Sequence, residues 1–233
     1  MTPTEPRRHF VAEGYRTESV PAETLLILAR HGETALNAAG KLRGRADPPL
    51  TPDGERQARA LADALVEYAP TALFTSPRQR ARMTAGPIAG RCAIEATITE
   101  SLDDFDYGAW TGKGEEELRQ TWPRLYSRWQ REPGAVVFPE GESVEQALGR
   151  IATFIRFARD ERPGAIIVAV THDAIIRAAV CAALDLRIAA FRRIQIGLAS
   201  TTGLLVGSSP MRVAWTNETA HVRAERLRAS VER

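Results

Sequence analysis

The sequence predicts an α/β protein, a three-layer sandwich with a mostly parallel central sheet flanked by helices. Two uninterrupted apolar runs, Thr24-Leu25-Leu26-Ile27-Leu28-Ala29 and Ala165-Ile166-Ile167-Val168-Ala169-Val170, suit strands buried on both faces. Helical patterns alternate with these and with weaker strand signals, as βα units require. No repeat, low-complexity segment or linker divides the chain, so one domain is expected.

Each element has its own justification. Residues 1–23 are polar and aperiodic and read as an extension. After the first strand, Thr51-Pro52 looks like an N-cap followed by proline at the first helical position. Ala58, Leu61, Ala62, Leu65 and Val66 follow at helical spacing. A strand is expected at Ala72–Thr75, then a helix opened by Pro77, then a strand from Ala93 to Ile98. Glycines and prolines break residues 101–140, where one short helix is expected from Glu115 to about Gln130. Ser143 and Gln146 form a capping box, opening a helix through Leu148, Ile151, Ile155 and Ala158. The second apolar strand leads into a helix from Asp173 to Leu184, and Leu204–Val206 and Arg212–Trp215 read as edge strands.

Composition limits the function. The 233 residues carry 31 basic and 29 acidic side chains, a net charge of +2, which argues against a dedicated nucleic-acid binder. Only Lys41 and Lys113 of the basic set are lysines, so the chain is rich in the planar forks that suit phosphate. With 44% hydrophobic and 26% charged residues it reads as an ordinary globular chain. Cys92 and Cys181 form no CxxC or Cys/His cluster and read as buried thiols. No run reaches the ~18 apolar residues of a membrane span, and no secretory segment is visible, so cytoplasmic residence is expected.

In such sheets catalytic groups gather past the carboxyl ends of the strands. His31, in Arg30-His31-Gly32-Glu33-Thr34, and His172, in Val170-Thr171-His172-Asp173, both take that position. Neither has the i+3 or i+4 partner of a zinc site, and neighbouring arginine favours an anion over a metal. The chain has no G-x-S-x-G elbow and no Gly-rich nucleotide loop.

The run Leu28-Ala29-Arg30-His31-Gly32-Glu33-Thr34 with Asn37 resembles the signature of the histidine phosphatase superfamily, whose fold is phosphoglycerate-mutase-like. Further blocks follow in the family's order: Gly44–Gly54, Thr75-Ser76 to Arg80-Ala81, Leu102–Gly112, Pro139–Ser143, Val170-Thr171-His172 with Ile176-Arg177, and Asn217–His221. The resemblance implies a domain over residues 24–222, with a small cap at about 105–140 and a tail at 223–233.

It also implies roles. His31 would be the nucleophile, forming a phosphohistidine, with Arg30, Arg80 and His172 around the phosphoryl group. Asn37, Thr34 and Arg43 would contact substrate, with Arg45 a weaker candidate, and Arg78 and Arg82 would lie on a solvated helix face. Where the family carries a glutamate as general acid this sequence has Asp104, one methylene shorter. Asp173 is a second candidate, since a His-Asp pair supplies the proton in the acid-phosphatase branch. Glu33 would fix the loop, His221 would hold the last strand, and Asp103 and Asp106 would be solvated or structural. Trp110, Trp122, Tyr126 and Trp129 would belong either to the cap or to the core.

The implied activity is metal- and cofactor-independent hydrolysis of a small phosphorylated metabolite. The short 113–139 segment, and Thr111 in place of a glutamate, favour this over mutase-type phosphoryl transfer. A catalytically inactive phospho-ligand module is the remaining alternative, and a homodimer stays open.

Overall fold

The computed structural model describes residues 23–207 and 210–231; most of the 1–23 extension, including His9, lies outside them. Strands β1 (Thr24–Arg30), β2 (Ala72–Thr75), β3 (Ala96–Ile98), β4 (Ile166–Thr171), β5 (Thr201–Val206) and β6 (Arg212–Glu218) form one sheet in the order β3-β2-β4-β1-β5-β6. The first four neighbours are parallel, and β5 runs antiparallel to both β1 and β6.

Both faces are covered because both apolar strands bury alternate residues on opposite sides. Leu26, Leu28, Ile167 and Ala169 pack toward α6 (Val144–Glu161) and α7 (Asp173–Ala183). Ile27, Ala29, Val168 and Val170 pack toward α2 (Pro52–Leu65), α3 (Gln79–Cys92) and α8 (Ala220–Val231), which supplies Val222. Helix α2 starts as expected, Thr51 Oγ1 accepting from Gly54 N at 3.1 Å, and the Ser143–Gln146 capping box opens α6.

Four local expectations change. Ala93 takes a left-handed conformation that ends α3, so β3 starts only at Ala96. The helix expected over 115–130 is split into α4 (Glu115–Thr121) and α5 (Pro123–Arg131), because proline pushes the preceding Trp122 out of the helical region. Strand β5 is interior rather than an edge: it begins at Thr201, and the Trp215 ring lies over Gly203, where a Cβ would come within 2.5 Å of it. Residues 223–231 continue α8, which packs on α2, rather than forming a tail.

The aromatic residues of the 105–140 segment are core. Trp110 is fully buried and packs with Phe138, Trp122 and Tyr126, while Trp129 packs against Phe138 and Phe191. Among the described residues no helix is long and apolar enough to cross a membrane.

Candidate active site

Parallel pairing brings four strand ends to one edge of the sheet. The register aligns Arg30 with Thr171, and Thr75 with both Val170 and Ile98. Just beyond lie His31 after β1, Ser76 after β2 and His172 after β4, with Asp104 on the loop that follows β3 and its adjoining turn. Arg80 enters from the first turn of α3. The His31 and His172 ring centroids are 5.2 Å apart, and both histidines, Arg80 and Asp104 are fully buried.

The His31 loop is fixed from several sides. Gly32 N donates to Thr84 Oγ1 at 3.0 Å, and a Cβ on Gly32 would fall 2.5 Å from the carbonyl oxygen of Gly54, so this close approach requires glycine. The His31 ring donates from Nδ1 to the Gly32 carbonyl at 2.7 Å, which leaves Nε2 without a protein partner. Burial, and then Arg80, Arg30 and Arg43, hold its pKa well below the usual histidine range. His31 is therefore a neutral imidazole whose lone pair sits on Nε2.

Cations surround it. Arg80 reaches the carbonyls of Ala46 and Gly44 at 2.7 and 2.8 Å and Asp104 Oδ2 at 2.9 Å. Arg30 Nη1 donates to the carbonyl of Ile196 at 2.6 Å. Arg43 and Arg177 share Asp173, at 2.8 and 3.5 Å. Among the described residues, six of the nine buried side-chain atoms without a partner lie on these residues or on His172: the Nε of Arg30, Arg43, Arg80 and Arg177, His172 Nδ1 and His31 Nε2. Buried polar atoms are rarely left unpaired, so this cluster marks a place for a polar, anionic ligand.

The two candidate acids differ. Burial raises the Asp104 pKa to about 6, against the opposing pull of Arg80 and Arg43, and its Oδ2 lies 3.6 Å from His172 Nδ1. Burial acts in the same direction on Asp173, but Arg30, Arg43 and Arg177 outweigh it and hold that carboxyl far below the usual range. Asp104 reaches Arg80 directly despite being shorter than glutamate, while its Oδ1 accepts from Phe105 N at 2.9 Å.

Other expectations sort as follows. Thr34 caps the short helix α1 (Ala35–Ala38) and shares a capping box with Asn37, whose Oδ1 accepts from the Thr34 amide and hydroxyl at 3.1 and 2.8 Å. Asn37 therefore keeps only its amide N–H groups for a ligand. Arg45 is half exposed and 3.5 Å from Asp106. Glu33 accepts from Thr51 Oγ1 at 2.9 Å, so it does fix the loop, and His221 bonds Ala199 O at 2.8 Å. Arg82 is exposed, as expected. Arg78 is not on a solvated face: it grips the buried Asp103 with two bonds, at 2.8 and 2.9 Å.

Sequence reasoning left several supporting residues without a role. Ser76 Oγ lies 2.8 Å from His172 Nε2. Arg150 pairs with Glu142 and donates to the Asp104 carbonyl at 3.1 Å, while Glu142 also accepts from Asp106 N at 2.8 Å. Together these two residues brace the loop that carries Asp104. Only the presence of Ser76, Glu142 and Arg177 within the matching blocks signalled them.

The chain is 32% identical to phosphoserine phosphatase 1 of Hydrogenobacter thermophilus, over 71% of this chain and 79% of that one. It is 29% identical to a protein of Photorhabdus laumondii described as a probable phosphoglycerate mutase, over 84% and 91% of the two chains. The crystal structure of phosphoserine phosphatase from Entamoeba histolytica, in complex with 3-phosphoglyceric acid, superposes with a TM-score of 0.78 at 28% identity, covering 85% of this chain and 99% of that one. Residues 26–219 match the histidine phosphatase superfamily (branch 1), and the chain belongs to that family.

Proposed function

We propose that this phosphatase hydrolyses a small phosphomonoester through a phosphohistidine at His31. The observation that carries the reading is the buried, neutral His31 ring: its Nδ1 proton is committed to Gly32, and its free Nε2 sits among arginines that suit a phosphoryl dianion.

In the first step His31 Nε2 attacks phosphorus while the bond to the leaving oxygen breaks. Asp104, in its neutral form, gives that oxygen its proton, so an alcohol departs and Nε2 carries the phosphoryl group. Arg30, Arg80 and His172 stabilise the charge spread over the equatorial oxygens, and Arg43, with Asn37 and Thr34, borders the substrate. In the second step the Asp104 carboxylate takes a proton from water as it attacks phosphorus. The N–P bond breaks, releasing phosphate and restoring both residues. Asp173, held ionised by its arginines, is a poor proton donor and orders Arg43.

Mixing the protein with a phosphomonoester and quenching rapidly should trap phosphate on His31 in an acid-labile, base-stable form. No such label, together with no release of phosphate from p-nitrophenyl phosphate, would refute the reading.

The similarity to a described mutase supports a second outcome, transfer of the phosphoryl group back to a phosphoglycerate. Conversion of 3- to 2-phosphoglycerate without loss of phosphate would favour it. Cytoplasmic residence, a small-molecule rather than nucleic-acid partner, and a homodimer complete the proposal. They are tested by cell fractionation, by a panel of phosphomonoesters and by light scattering.

A further inference from the structure

The second histidine has a neighbour that the mechanism above does not use. Ser76 is fully buried at the end of β2, and its Oγ has three contacts. The Arg78 amide donates to it at 3.2 Å, His172 Nε2 lies at 2.8 Å, and Asp103 Oδ1 lies at 3.4 Å. Burial, then Arg80 and His31, hold the His172 pKa well below the usual histidine range, so the ring is neutral and one of its nitrogens bears no proton; the hydroxyl of Ser76, with its one proton, donates either to that nitrogen or to the carboxylate.

The geometry favours the histidine. Asp103 Oδ1 already accepts from Arg78 Nε at 2.8 Å and from Asp104 N at 2.9 Å, and the hydroxyl stands at the outer limit of a hydrogen bond to it. The contact to His172 Nε2 is short. The other ring nitrogen, Nδ1, is buried without a partner and faces Asp104 Oδ2 at 3.6 Å. If Ser76 gave its proton to Asp103, Nε2 would carry the ring proton, and Nδ1 would turn a lone pair toward a carboxylate and toward the phosphoryl oxygens. That arrangement is repulsive on both sides.

We infer that Ser76 donates its hydroxyl proton to Nε2 of a neutral His172 and so fixes the tautomer in which Nδ1–H is the donor offered to the phosphoryl group. Ser76 is then a positioning residue, acting through His172 in the way that the hydrogen bond on one ring nitrogen sets the role of the other. The Arg78 amide holds Ser76 in place while the Arg78 side chain is anchored on Asp103, which takes no proton from the hydroxyl. The inference rests on the phosphoryl-transfer reading for its use, but not for its test.

The test is nitrogen NMR of protein labelled in its histidine rings, with the His172 signals identified by their loss in His172→Gln. In the wild-type protein His172 should show a proton-bearing Nδ1 and an unprotonated, hydrogen-bonded Nε2. Ser76→Ala takes the hydrogen bond from Nε2, so the Nε2 signal should move toward that of an unbonded nitrogen and the Nδ1–H population should fall, lowering kcat by up to about 10²-fold, the usual loss on removing one donor to a transition-state oxygen, with a smaller change in KM. Ser76→Thr, which keeps the hydroxyl, should restore both the tautomer and kcat. A wild-type spectrum with the proton on Nε2, or a Ser76→Ala spectrum in which the Nε2 signal does not move, would overturn the inference. The wild-type spectrum is decisive even if the variants do not fold. An Nδ1–H tautomer in a protein that never labels His31 would instead refute the phosphatase chemistry and leave the role of Ser76 standing.

Discussion

Asp104 and Asp173 are two carboxylates beside one histidine, yet the fold gives them opposite properties. Asp104 is fully buried on the loop after β3, and Arg80 is the one guanidinium among the described residues that pairs with its carboxylate, so burial prevails and its pKa rises to about 6. Asp173 opens α7, where the helix N-terminus favours negative charge. Its direct partners are Arg43 and Arg177, and the field of Arg30 adds to theirs, so it stays ionised. Residue type and proximity to His172 therefore do not identify an acid. The balance between desolvation and the number of fixed cations does.

The largest effect should come from the nucleophile. His31→Ala should eliminate the acid-labile label and turnover, as followed by rapid-quench labelling and phosphate release; substantial label remaining in this variant would move the nucleophile elsewhere. Next comes Asp104→Asn. Loss of a general acid should lower kcat/KM, which reports the labelling step and not the hydrolysis of the phosphohistidine, by about 10²- to 10⁴-fold on an alkyl phosphate, whose alkoxide leaving group needs the proton. On p-nitrophenyl phosphate, whose leaving group departs unprotonated, the loss should be much smaller. Equal losses on the two substrates would remove Asp104 from the acid role.

The pH profile tests the same contrast in the wild-type enzyme. Because the neutral form of Asp104 is the donor and its pKa is about 6, kcat/KM for an alkyl phosphate, reckoned on the dianion, should be highest below that pH. It should fall about tenfold per unit above it, the profile reporting the free enzyme. A profile that instead rose through pH 6 would assign the titrating group to a base.

Much of this site is legible in the sequence because its parts are local. Strand and histidine adjoin in Leu28–His31 and again in Val170–His172, so an apolar run followed by His marks both strand ends without any knowledge of pairing. The central strands and the capped helices are legible for the same reason. What stays hidden is set by contacts between distant segments. Asp173 is ionised through Arg43, 130 residues away, Ser76 meets His172 at a separation of 96, and Arg78 leaves solvent only because Asp103 comes beneath it. Leu204–Val206 reads as an edge strand, and the pairing of β5 with both β1 and β6 that makes it interior involves residues far apart in the chain.

The smallest effect should come from Asp173→Asn. If Asp173 were the proton donor, this change would cost as much as Asp104→Asn and would show the same dependence on leaving group. As an ionised partner of Arg43 and Arg177, its removal leaves the proton donor intact, so the loss in kcat should be modest and equal for alkyl and p-nitrophenyl phosphates. The charge still has a reach. The Asp173 carboxylate disfavours ionisation of Asp104, as a nearby like charge does, so removing it should lower the Asp104 pKa. The fall in kcat/KM on the alkaline side should then begin at a lower pH in Asp173→Asn than in the wild type. KM should respond too, because Arg43 loses the partner that orders it while the pocket becomes more cationic. Paired pH profiles of the two proteins on one alkyl phosphate measure this, and an unchanged alkaline limb would mean that the two carboxylates are not coupled through this pocket.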